Sequence, residues 1–109
     1  MSVSLKGFHE KYVTLTAGES CTVGSPVEIT DDNTVTDCTS GDFAGVCAAR
    51  EGDLALVQVS GYMVLPADSL SLGTCNVSIA GGKAAKAAAG GRSAIVTALG
   101  DGTAELVLL

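Results

Sequence analysis

The sequence predicts an all-β fold: a small single-domain sandwich or barrel of short antiparallel strands joined by hairpins. Three observations predict it. Short β-branched segments are punctuated by Gly, Asp, Asn and Pro at nearly regular intervals. The 109 residues suffice for one core and are too few for two comfortable ones. The stretch LALVQVSGYMVLP (Leu54 to Pro66) is the most strand-like piece of the chain, with a continuous apolar face at its odd positions, because successive side chains of a strand point to opposite faces.

The strands follow in order. KYVTLT (Lys11 to Thr16) alternates and reads as the first. PVEIT (Pro26 to Thr30) is the second, with Pro at its first position, where a missing N–H is tolerated. Asp31 to Asn33 form a turn, and TVTDC (Thr34 to Cys38) completes a hairpin. TSGD breaks the chain. FAGVCAARE (Phe43 to Glu51) is the fourth strand, with Gly45 marking a bulge or a close backbone approach. Gly52-Asp53 then turns into the Leu54 strand, which Gly61 is placed to bend.

PADSLSLGT (Pro66 to Thr74) reads as a loop with room for one helical turn. CNVSIA is a strand, Gly81-Gly82 a two-residue hairpin turn, and the alanine-rich piece after it a short, weak strand rather than a helix, because isolated helices of that length are marginal. SAIVTAL (Ser93 to Leu99) and TAELVLL (Thr103 to Leu109) are strands joined through Gly100-Asp101-Gly102.

Composition narrows function. Trp is absent and Tyr and Phe number two each, which disfavours the aromatic platforms that bind sugars or single-stranded nucleic acid. Twelve acids against six bases leave a formal charge of -6, the wrong sign for a phosphate backbone. Lys83, Lys86 and Arg92 fall close together but read as solvated hairpin edges, so nucleic acid is not an expected partner. No apolar run approaches the ~18 residues of a spanning helix, and no leader-like segment opens the chain. The expectation is a protein made in the cytoplasm with no membrane partner. Cys21, Cys38, Cys47 and Cys75 show no CxxC spacing. With a single histidine they lack a zinc signature, and they read as small buried hydrophobes.

No motif specifies catalysis. His9 sits in a polar N-terminal stretch with nothing like a nucleophile elbow nearby. GGKAAKAAAGGRS fails as a phosphate loop, because Ala84 follows Lys83 where Ser or Thr is needed. DDNTVTDCTSGD fails as a calcium loop, with Thr36 where Gly is required. The expectation is therefore a protein that is not an enzyme, with no catalytic, cofactor-binding or metal-binding residues.

Apolar strand surface carries the remaining signal. On the Leu54 strand the odd positions Ala55, Val57, Val59, Met63 and Leu65 form a continuous apolar face. Val57, Val59, Met63 and Leu65 are assigned to the core. The even face is apolar at both ends, with Leu54, Leu56, Tyr62 and Val64, and the chain closes on Leu106, Val107, Leu108 and Leu109. A strand solvated on one face should alternate cleanly, so these eight residues are the candidates for contact with another chain.

The order of features resembles a known family. VTLTAGESCTVGSPVEITDDNTVTDC, FAGVCAAREGDLALVQVSGYMVLP, LGTCNVSIAGGKAAKA and SAIVTALGDGTAELVLL resemble small phage head proteins of the capsid decoration, or head cement, type. The opening SLKGFHEKYVT looks like relatives encoded in phages and prophages of Gram-positive gut bacteria. The four cysteines and the alanine-rich hairpin depart from the family pattern. The resemblance implies a β-rich module (residues 12–109) that binds the outer face of a capsid shell and reinforces it. The polar arm before it (residues 1–11) is the candidate for gripping the shell by ordering on binding. It also implies a homo-oligomer, trimer favoured over dimer, and the phage major capsid protein as partner. The expected location is the capsid surface of the virion, after assembly in the host cytoplasm. The alternative is a ligand- or carbohydrate-binding β module on the virion surface.

Overall fold

A computed structural model describes residues 10–109. Ten strands and no helix occur among them: β1 (Lys11–Ala17), β2 (Pro26–Asp31), β3 (Thr34–Asp37), β4 (Ser40–Gly41), β5 (Gly45–Glu51), β6 (Leu54–Pro66), β7 (Gly73–Ala80), β8 (Lys83–Lys86), β9 (Arg92–Leu99) and β10 (Thr103–Leu108). The all-β expectation holds, and the domain is a small barrel-like sandwich. The expected arm lies outside the described residues as far as His9, and β1 begins at Lys11.

The pairing makes two small rings that share β6. In the first ring β1 pairs β3, β3 pairs β2, β2 pairs β5, β5 pairs β6, and β6 pairs β1 again. In the second, β6 pairs β10, β10 pairs β9, β9 pairs β7 and β7 pairs β8. That ring returns to the chain just beyond β6 through a parallel bridge between Ala67 and Ala84. Closure satisfies backbone donors and acceptors that an open sheet would leave at its edges.

β6 changes partners at one residue. Leu54 to Ser60 pair with β1 and Leu54 to Gln58 with β5, while Gly61 to Pro66 pair with β10. Gly61 has φ +94°, a conformation that residues with a Cβ avoid. The buried Gln58 spans this point: its Nε2 donates to the carbonyls of Ser60 at 3.1 Å and Tyr62 at 2.8 Å. Gly45 is the other glycine that geometry demands. A Cβ there would lie 2.1 Å from the Gln58 carbonyl oxygen, so the close approach of β5 to β6 needs a residue without one.

Each ring holds a core. The first contains Ala17, Cys21, Val27, Val35, Cys47, Ala55 and Val57. The second is bulkier, with Phe43, Met63, Leu65, Val77, Ile79, Val96, Leu106 and Leu108 among its members. The odd face of β6 serves both: Val57 faces the first, Met63 and Leu65 the second, and the half-buried Val59 packs against the first. Arg92 ties the rings together. Its Nη1 donates to the Ala44 carbonyl at 2.8 Å, and its Nη2 to the carbonyls of Val59 at 2.7 Å and Leu109 at 3.3 Å.

Four expectations need correction. Ser40-Gly41 pairs with β7 instead of merely breaking the chain. The Pro66 to Thr74 loop contains no helical turn; β6 runs through Pro66 and β7 starts at Gly73. β1 and β3 pair in parallel at Thr16↔Thr34 and Ala17↔Val35, so the strands are not uniformly antiparallel. β5 begins at Gly45, and Phe43 enters the second core from the preceding segment.

Candidate functional site

The candidate contact residues divide into those the chain leaves outside and those it covers itself. Leu54 is 55 % exposed, Val64 49 % and Leu109 60 %, and Leu56 is exposed too. All except Leu109 lie on the even, outward face of β6. Tyr62, on the same face, is half-buried. Leu106, Val107 and Leu108 are buried, which corrects their assignment as surface. Leu106 and Leu108 point into the second core. Val107 is on the other face of β10, in register with Tyr62 on β6 and Ile95 on β9.

The exposed residues form two groups. Leu54 and Leu56 line an open groove with Thr14 of β1 and Ala49, Arg50 and Glu51 of β5. The register places Thr14 opposite Leu56 and Thr16 opposite Leu54, so β1 forms one wall. Tyr12 and Val13 of β1 are also exposed and extend the apolar surface along that strand. The second group crosses the outer face of the other ring. Val64 stands opposite Glu105, and the half-buried Tyr62 and exposed Ile95 flank the buried Val107 across three strands. The Tyr62 hydroxyl donates to Glu105 Oε1, and this hydrogen bond, with the carboxylate's charge, holds the phenol pKa above its ordinary value.

Leu54 and Leu56 are therefore brought together, and Tyr62 and Val64 form a separate stripe beyond Gly61. Sequence reasoning missed Tyr12, Val13 and Ile95. The signal for Ile95 was present, because SAIVTAL alternates small inward residues, Ala94 and Val96, with outward Ile95, Thr97 and Leu99.

The other polar groups are structural. Asp37 accepts from the Thr22 N–H at 2.8 Å, from Thr22 Oγ1 at 2.8 Å and from Ser20 Oγ at 2.9 Å. Burial pushes its carboxyl up, but those donors and the charge of Arg50 outweigh it and leave the pKa lowered. Cys38 is turned towards the carbonyls of Ser40 and Asp42, and burial, with Glu28 beside it, pushes its thiol up to about 11. Among the described residues no group of three or more His, Cys, Asp or Glu side chains is arranged to hold a metal ion. His9 lies outside them. None of the described residues belongs to a helix long and apolar enough to cross a membrane.

In comparisons with known proteins, no family model matches the chain and no curated sequence matches it.

Proposed function

We propose that this chain is a non-enzymatic structural protein of a phage or prophage virion, which binds the outer face of the capsid shell and reinforces it as a homo-oligomer, with a trimer favoured. The observation that carries the reading is the outward face of β6. Two closed rings satisfy the backbone and shelter two cores, yet Leu54, Leu56 and Val64 remain in water on the longest strand. Leu54 and Leu56 share one exposed groove and Val64 lies on a second stripe, and clustered exposed apolar residues mark a partner's site more often than scattered ones do. A symmetric assembly would cover it without leaving adhesive surface. Repetition over a shell lattice would let weak single contacts sum. The acidic charge keeps free copies soluble before assembly.

The test is co-sedimentation of the purified protein with shells assembled from the phage major capsid protein, alongside sedimentation equilibrium of the protein alone. The reading expects pelleting with shells and a mass above one 10.8 kDa chain. A double substitution, Leu54→Ser with Leu56→Ser, should weaken both while leaving the fold intact. A strict monomer at high concentration that ignores shells would overturn the proposal.

A further inference from the structure

Two of the four cysteines meet inside the first ring. Cys21 lies in the loop between β1 and β2, and Cys47 on β5. They are 5 % and 0 % exposed and are neighbours in the same core. The backbone holds them there independently of the sulfur atoms. The Gly24 N–H donates to the Cys47 carbonyl at 2.7 Å, and the Cys47 N–H to the Ser25 carbonyl at 3.1 Å. Arg50 Nη1 donates to the Cys21 carbonyl at 3.2 Å. The other two cysteines are elsewhere: Cys38 is in the second core and Cys75 packs against it.

We propose that Cys21 and Cys47 are a latent disulfide pair. Reduced, they fill the first core as two small apolar side chains. Oxidised by a low-molecular-weight disulfide, they join Sγ to Sγ and staple the β1–β2 loop to β5. In that exchange one cysteine thiolate attacks the small disulfide and displaces a thiolate, leaving a mixed disulfide. The second cysteine, as its thiolate, attacks the first cysteine's Sγ and displaces the small molecule's remaining thiolate. Both thiol protons are released, and the two electrons leave with the small disulfide, which ends as two thiols. Burial, reinforced by Cys47, pushes the Cys21 thiol up to about 11, so thiolate is scarce at neutral pH. The exchange therefore waits on opening of the loop and proceeds faster in mild denaturant. This pairing is independent of the function proposed above.

The full chain, purified in reductant, is incubated with oxidised glutathione with and without low urea, and free thiols are then counted after denaturation. The expected result is a fall from four thiols to two, a mass lower by two hydrogens with no glutathione adduct, and a peptide containing Cys21 linked to one containing Cys47. Cys21→Ser and Cys47→Ser should each keep all three remaining thiols free of internal bonds. The thermal midpoint of the oxidised chain should rise by about 15 °C, from the chain entropy removed by closing the segment between Cys21 and Cys47. Four thiols surviving in both conditions, or a bond to Cys38 or Cys75, would overturn the proposal.

Discussion

The two rings solve one problem with different materials. The second fills its interior with Phe43, Met63, Leu65, Ile79, Leu106 and Leu108. The first has only Val, Ala and Cys side chains at its centre. Each buried methylene is worth about 0.8 kcal/mol, so the first ring draws less from apolar burial. It is supplemented by polar ties: Asp37 gathers three donors from the 20–22 loop, and Arg50 donates to the carbonyls of Cys21 and Gly52. The second ring should thus fail through its apolar volume and the first through its hydrogen bonds.

Substitutions can break or sharpen that contrast. The largest effect is expected from Leu106→Ala, a fully buried side chain in the bulky core, at about 2–5 kcal/mol of stability in urea titration. A loss under 1 kcal/mol would mean that the second ring is not held by its volume. Gly45→Ala comes next. Its Cβ would meet backbone, not a yielding side chain, and strand displacement should cost about 1–3 kcal/mol.

Asp37→Asn tests the polar side of the comparison and should cost about 1–2 kcal/mol. It carries a pH signature. The folded pKa of Asp37 lies below its ordinary value. The stability it contributes is therefore fully present above the unfolded value of about 3.9 and is lost as pH falls through the lower folded value. Thermal midpoints measured from neutral pH down into that range should fall less steeply for the Asn variant than for the parent. Equal slopes would show that the carboxylate's charge is irrelevant to the clasp. The smallest effect is expected from Leu56→Ser. On an exposed position it should change the stability of a single chain by less than about 0.5 kcal/mol, so any larger change seen at high protein concentration reports contact between copies.

Much of this fold was legible. β6 runs from Leu54 to Pro66 as the alternation indicated, with its odd face inward throughout. The Gly81-Gly82 and Gly100 to Gly102 turns join the strands they were expected to join. The misses have physical causes. A two-residue strand such as β4 has no period to detect. The parallel β1–β3 contact arises from closing the ring, which no local pattern encodes. Leu106 to Leu108 looked like surplus apolar surface because a continuous run cannot say whether its second face is covered. Here it is: Val107 is buried in register with Tyr62 and Ile95. For the candidate surface, Leu54, Leu56 and Val64 were readable from alternation alone, while the part played by Tyr12 and Val13 depended on knowing that β1 lies beside β6.

β6 is a wall of both rings, but each ring pairs with its own stretch of it, Leu54 to Ser60 for the first and Gly61 to Pro66 for the second. The second core nevertheless takes Cys38, Phe43 and Val46 from the first half of the sequence, and β4 pairs β7 across the same divide, so a fragment beginning at Gly61 should fold only when recombined with the fragment that precedes it. Heating should accordingly give one sharp transition for both cores. Folding should be slow for so short a polypeptide, since the first ring closes only when β1 finds β6 and the second only when β10 does, both pairings between strands distant in sequence.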